Sequence, residues 1–306
     1  MTAGVHHHIR KPHWLKRQLP QGPEFEQIRG LLRQKKLHTV CQEARCPNMW
    51  ECFSCKTATF LIMGAHCSRN CRFCAVEHGI PEPLDPDEPR RVAEAVRQMG
   101  LRYVVITSVT RDDLSDGGAS QFAAVIQALR NGADNARIEV LIPDFQGCRH
   151  ALKTVLDAAP DVLNHNIETV ARLYPVARPQ ADYRQSLTLL RRVADHANDI
   201  DVKSGLMVGL GETEPELMQT FADLRDAGCR ILTIGQYLQP SRSHLPVASF
   251  IPPEIFEKWR EIGLNMGFAE VASAPFVRSS YQARHLYEAV DRCLCPSSRA
   301  DSDTRS

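Results

Sequence analysis

With 306 residues, 43% of them hydrophobic, the chain is long enough to bury a complete core as one large domain or as a barrel with extensions. Its 37 basic and 36 acidic residues leave a net charge of +1, so no bulk field favours nucleic acid or an anionic membrane. Eleven cysteines, without a leader-like start or a long apolar run, argue against a disulfide framework. They point to metal sites in a reducing compartment, with the cytoplasm as the expected location.

In chain order, short β-branched apolar runs predict strands at Thr59 to Met63, Tyr103 to Thr107, Ile138 to Ile142, Val162 to His165, Val202 to Met207 and Ile231 to Ile234. Amphipathic stretches between them predict helices at Pro89 to Met99, Ser120 to Arg130, Ala151 to Ala158, Tyr183 to His196 and Glu214 to Ala227. Repeated strand-then-helix units imply parallel strands joined by right-handed crossovers. The expected fold is α/β, a partial (β/α)6 TIM-type barrel with N-terminal and C-terminal extensions. Residues 1–57 form the first extension, 58–249 the barrel core, and 250–306 a segment that returns to cover the open side. The serine- and arginine-rich tail from Pro296 is expected to be disordered. His6 to His8 is too short a run to read as a metal tract.

The chemistry is concentrated in Cys67, Cys71 and Cys74, a CxxxCxxC run just after the first predicted strand. A structural zinc site takes four protein ligands, usually from CxxC pairs. Three soft thiolates instead suit three corners of a four-iron cluster, with the fourth iron open to a substrate. Buried small hydrophobes would be the bland reading of clustered cysteines. Arg69, Asn70 and Arg72, interleaved among them, mark a polar loop instead. Upstream, Cys41, Cys46 and Cys52 form a second triad, and Cys55 follows closely as a thiol that could compete as a ligand. The glycines of Gly209-Leu210-Gly211 lack both the full GxGxxG spacing and a P-loop lysine. They read as a tight strand-to-helix turn, with Glu212 expected in the first helical turn, where a negative charge is favoured.

The CxxxCxxC spacing resembles the signature of radical S-adenosylmethionine enzymes, and its combination with the second triad resembles the lipoyl synthase family. Agreement extends to Lys11-Pro12 with Trp14-Leu15, Ser108 to Leu114, Asp116-Gly117-Gly118, Asn164 to Thr169, Lys203 to Thr213, Gly235 to Pro240 and Arg278-Ser279-Ser280-Tyr281, so only the two ends fall outside it.

The resemblance implies a sulfurtransferase that inserts two sulfur atoms at C6 and C8 of a protein-bound octanoyl-lysine. Its cofactors would be S-adenosylmethionine and two four-iron, four-sulfur clusters. Cys67, Cys71 and Cys74 would hold the cluster that binds S-adenosylmethionine, and Cys41, Cys46 and Cys52 the auxiliary cluster. Ser280, chosen over Ser279, would complete the auxiliary site with an oxygen ligand, although either serine could instead cap the helix that follows. Phe73 would pack near the adenine. Asn164, Asn166, Glu168, Lys203 and Ser204 would surround the ribose and amino-acid head, and Gln236 would contact the base. Rim hydrogen bonds for the asparagines and a buried salt bridge for Lys203 are the structural alternatives. The implied partners are octanoylated lipoyl-domain proteins, an electron donor such as ferredoxin or flavodoxin, and an iron-sulfur carrier, with no nucleic acid and no membrane. Two other readings are a radical enzyme using the second cluster as an electron relay and a noncatalytic iron-sulfur protein.

Overall fold

A computed structural model describes residues 10–16, 23–44, 46–49, 59–132, 136–196 and 199–294. Cys52, Cys55, Cys295, His6 to His8 and the tail from Pro296 lie outside the described residues. Among those described, one sheet carries eight strands in sequence order. The two-residue β1 (His38–Thr39) is antiparallel to β2 (Thr59–Ile62). From β2 onward the sheet is parallel, through β3 (Tyr103–Ser108), β4 (Arg137–Leu141), β5 (Val162–Asn164), β6 (Asp201–Val208), β7 (Ile231–Gln236) and β8 (Glu270–Ser273). Since β1 and β8 do not pair, the barrel is open.

Helices α1 (Pro23–Gln34) and α2 (Val40–Glu43) precede the parallel strands. The crossovers are α3 (Glu88–Met99), α4 (Ala119–Gly132), α5 (Arg149–Asp157), α6 (Tyr174–Ala177) with α7 (Tyr183–His196), α8 (Glu214–Asp226) and α9 (Pro253–Asn265). The last helix among the described residues is α10 (Ala283–Leu294). Local sequence sets their limits. Pro89 opens the first turn of α3, where a missing N–H costs nothing, and Gly100 ends it at φ 64°. In α8 the Thr213 and Glu216 side chains form a capping box.

Strand alternation divides the side chains between two faces. Val104, Ile106, Ile138, Val140, Leu232 and Ile234 pack in the main core. Tyr103, Val105, Glu139, Lys203 and Gly205 alternate with that set. At the amino ends of the strands, α10 bridges the two sides of the sheet: Ala283 and Tyr287 meet Tyr103 and Val105, while Leu286 and Val290 meet Ile231.

The six predicted strands correspond to β2 through β7, and the predicted helices to α3, α4, α5, α7 and α8, with bounds shifted by two residues or fewer. The segment after residue 250 adds a seventh parallel strand, β8. Its Glu-Val-Ala-Ser sequence is short and only half-buried, which hides it from an apolar-run criterion. Glu212 is a correction. It precedes the α8 N-cap, and its carboxylate accepts from the Gly209 N–H at 2.5 Å and the Leu210 N–H at 2.9 Å, so it braces the turn itself.

Candidate active site

The CxxxCxxC loop leaves the carboxyl end of β2, on the barrel face where active sites form. Backbone bonds fix it on every side. Cys67 N–H donates to Glu77, Ser68 to Thr110 and Arg72 to Ala177, and the Arg72 carbonyl accepts from Leu245. Arg69, which the sequence places in a polar loop, is 6% exposed and grips two carboxylates, Asp112 at 2.6 and 3.0 Å and Asp144 at 2.9 and 2.7 Å. Against the upward push of burial, the Arg69 bonds hold Asp144 down at about 2. The loop is thus bolted to the ends of β3 and β4 before any ligand arrives.

Two adjoining cavities, of about 410 and 180 Å³, share the walls Val40, Phe73, Cys74, Leu141, Asn166 and Glu168. The smaller one contains Cys67, Cys71 and Arg178; the larger contains Cys41, Cys46, Ser279, Ser280 and Arg278. Two thiol sets separate in sequence therefore line neighbouring cavities that adjoin at Phe73 and Cys74. Burial pushes the Cys41 and Cys74 thiols up to about 12 and also raises Cys71. A soft cation must displace their protons to bind.

Close approach of the backbone builds the larger cavity. A Cβ on Gly235 would lie 2.1 Å from the Val277 carbonyl oxygen, so only glycine lets the Arg278-Ser279-Ser280 segment cross the end of β7. On the other side, the Asn48 amide donates to the Phe276 carbonyl at 2.7 Å, joining the segment after Cys46 to the segment before Ser279.

Between the two thiol sets stands a polar group from the β5 end. Glu168 is held at φ 67° by its N–H on the Gly205 carbonyl and by the Met207 N–H on its own carbonyl. Burial raises its carboxyl, and Arg178 and the Asn166 amide at 3.1 Å pull against that rise. Arg178 donates to the Asn166 carbonyl at 3.1 Å and the Tyr174 hydroxyl at 3.2 Å, and stacks over the Tyr174 ring. Burial works against its charge, but Tyr174, Glu168 and Cys71 outweigh it. Arg178 Nε and Asn166 Oδ1 have no partner among the described residues.

A family model for the radical S-adenosylmethionine superfamily matches residues 61–224, and one for the N-terminal domain of lipoyl synthase matches residues 2–46. The lipoyl synthase of Desulfotalea psychrophila is 58% identical over 283 residues, covering 92% of this chain and 95% of that protein. That of Alkaliphilus metalliredigens is 54% identical over 279 residues, covering 91% and 96%. The chain belongs to the lipoyl synthase family. Its fold is also that of distant solved structures. Streptococcus suis SuiB bound to S-adenosylmethionine gives a TM-score of 0.54 at 8% identity, covering 72% of this chain and 50% of that one. Methylornithine synthase gives 0.50 at 15% identity, covering 65% and 60%.

For a lipoyl synthase family member, the sequence-expected contacts divide in an informative way. Phe73, Asn166 and Glu168 line the adjoining cavities, as do Cys41, Cys46, Cys67, Cys71, Cys74, Ser279 and Ser280. Asn164, Lys203, Ser204 and Gln236 do not; each is buried at 0 or 1% exposure. Lys203 meets Glu139 at 2.9 and 3.0 Å, and Glu139 also accepts from Asn164 at 3.2 Å and Tyr103 at 2.7 Å. Ser204 donates to the His165 carbonyl and accepts from the Ile167 N–H, shaping the β5 end. Gln236 donates to the carbonyls of Val208, Tyr237 and Ser249 and accepts from Ile251, pinning the 249–251 loop. Arg178, Asn48 and Glu139 were missed. Glu139 carried a signal: a carboxylate inside a strand buried on both faces requires an internal cation.

Proposed function

We propose that this chain inserts two sulfur atoms at C6 and C8 of an octanoyl chain carried on a lysine of a lipoyl-domain protein. The observation that carries this reading is the pair of adjoining cavities, one lined by Cys41 and Cys46, the other by Cys67 and Cys71, with Cys74 on the wall they share. Sulfur insertion at an unactivated carbon needs a hydrogen-abstracting centre and a sulfur source within reach of the same carbon, whereas an electron relay needs no room between them for an acyl chain. Family members bind S-adenosylmethionine and two four-iron clusters, which supply the carbon-centred radical and the sulfide.

The donor set fits those groups. Cys67, Cys71 and Cys74 offer three thiolates on a rigid loop, while Cys41 and Cys46 offer two facing Ser279 and Ser280, with Cys52 as the third ligand of that set. Ser280 supplies a harder, more weakly bound oxygen, suited to an iron that is later released. The amino-acid head of S-adenosylmethionine requires an anionic and a cationic partner, and Glu168 with Arg178 provides both beside the open Asn166 oxygen. Phe73 offers a flat apolar face for the adenine. Leu141, Leu206, Leu238 and Val277 give the larger cavity an aliphatic wall suited to an eight-carbon chain. Asn164, Lys203, Ser204 and Gln236 act from behind this wall, by holding the strand ends.

The reaction takes place in the cytoplasm, with an external protein electron donor and an iron-sulfur carrier restoring the spent cluster. No described helix is long and apolar enough to cross a membrane. Anaerobic incubation of the reconstituted protein with S-adenosylmethionine, dithionite and an octanoylated lipoyl-domain peptide tests the reading. The expected product is a lipoyl-peptide by mass. Deoxyadenosine formation with the octanoyl-peptide unchanged would sink it.

A further inference from the structure

Beside the CxxxCxxC loop, a separate apolar hollow of about 320 Å³ is lined by Leu173, Val176, Ala177, Leu210, Leu245 and Pro246, among others. It shares no lining residue with either of the two adjoining cavities. Its walls are nevertheless fastened to the thiol loop. Arg72, the neighbour of Cys71, donates its N–H to the Ala177 carbonyl at 2.9 Å and accepts from the Leu245 N–H at 2.9 Å. The His244 ring lies 2.9 Å from the Cys74 carbonyl. Val176 is 46% exposed, unusual for a large aliphatic side chain in this molecule.

Around the hollow, exposed unpaired arginines outnumber unpaired carboxylates. Arg72 and Arg242, the latter in the turn leading to Leu245, are exposed and have no carboxylate partner among the described residues. Of the nearby acids, Glu216 is compensated by Arg172 at 2.6 Å, while the Glu212 carboxylate is bound but not neutralised by the Gly209 and Leu210 N–H groups. An apolar floor with free cations at its edge complements a partner of opposite charge.

We propose that this hollow docks the electron donor, a small protein with an acidic face around a one-electron redox centre. The inference rests on the proposed function, which requires an electron at the Cys67, Cys71 and Cys74 site. An acyl-lysine arm must enter the larger of the two adjoining cavities, with which the hollow shares no wall. An electron needs only a short path, and Arg72 provides one from the hollow's walls to Cys71. Transient electron-transfer complexes bury less than about 1,200 Å² and depend on complementary charge, which suits a shallow apolar patch with a basic edge.

The test uses the holoenzyme, reduced flavodoxin as the probe, and the variants Arg242→Glu and Val176→Asp, both at exposed positions outside the catalytic cavity. Two quantities are measured: flavodoxin affinity by titration at low and high salt, and deoxyadenosine formation with flavodoxin or with dithionite. Each variant should bind flavodoxin about tenfold more weakly, and Arg242→Glu should also flatten the salt dependence. Flavodoxin-driven cleavage should fall in parallel, while dithionite-driven cleavage stays within about twofold, as expected of surface changes. Unchanged flavodoxin affinity in both variants would overturn the proposal. So would retained affinity with a selective loss of product from the octanoylated carrier, which would assign the hollow to that carrier. Failure of the wild-type protein to cleave S-adenosylmethionine with dithionite would instead count against the proposed function, separating the two claims.

Discussion

Asn48 and Phe276 are joined by a 2.7 Å hydrogen bond from the asparagine amide to the backbone carbonyl, across 228 positions of sequence. Asn48 is 1% exposed, two residues after Cys46, and Phe276 precedes Ser280 by four. The bond therefore ties together the two chain segments that the proposed function assigns to the auxiliary site. Replacing Asn48 by alanine removes this bond, a net loss of about 0.5–1.5 kcal/mol. Iron should fall from about eight toward about four per chain, the difference between two four-iron clusters and one. Cleavage of S-adenosylmethionine should persist. Full iron content in Asn48→Ala would show that the two segments are held by other contacts.

The two thiol sets should separate genetically. Alanine at Cys67, Cys71 and Cys74 should abolish S-adenosylmethionine cleavage, whereas alanine at Cys41, Cys46 and Cys52 should stop lipoyl formation and leave cleavage. Ser280→Ala should behave like the second set and be more damaging than Ser279→Ala; Cys55→Ala should be mild. Deoxyadenosine and lipoyl-peptide are measured together for each variant. Equal loss of cleavage in both triple variants, with folding and the remaining cluster intact, would contradict the division.

Lys203 and Glu139 form an ion pair with both side chains 1% exposed. Removing one partner from such a pair costs about 3–5 kcal/mol, because the other charge is left buried alone. Lys203→Met should therefore destabilise strongly, and Lys203→Met combined with Glu139→Leu should recover part of the loss. Recovery is incomplete because Tyr103 and Asn164 also lose their acceptor. Anaerobic denaturant unfolding of the single and double variants measures the coupling. Simple additivity would mean the pair does not act as a unit.

His165 gives the fold a pH dependence. Burial, with Arg178 adding to it, lowers the ring to about 4, so it is neutral in the folded protein. It donates from Nδ1 to the Ile142 carbonyl and faces the Ser186 hydroxyl through Nε2 at 3.0 Å. Because the folded value lies below that of the free ring, the associated stability is complete above about pH 6.5 and drains away as pH falls toward 4. The loss should reach about 2 kcal/mol by pH 5. Unfolding curves at pH 7 and 5 should show this decline, and His165→Gln should show a smaller one. Equal slopes for the two proteins would place the pH dependence elsewhere.

The parts of this molecule that could be read from sequence were those with a local signal. Val104 to Ile106 and Leu232 to Ile234 lie in apolar runs of strand length, and the cysteine triads have fixed spacings. Residues that act through distant partners were not legible. Arg178 in Ala-Arg-Pro resembles any surface cation until Tyr174 and Glu168 are brought beside it. Lys203 sits in the same β6 motif whether it faces the ligand or Glu139, and only the register of β4 against β5 and β6 decides. β8 escaped notice because a half-buried edge strand of four residues has neither length nor a continuous apolar run.

The most direct measurement of the central claim is a single turnover with both clusters carrying a heavy sulfur isotope and no other sulfide present. If the adjoining cavities hold the hydrogen-abstracting site and the sulfur source, the lipoyl-peptide should contain two labelled sulfur atoms. Unlabelled product, formed while the clusters retain their isotope, would show that the sulfur comes from elsewhere and that the Cys41, Cys46 and Cys52 site has a different task.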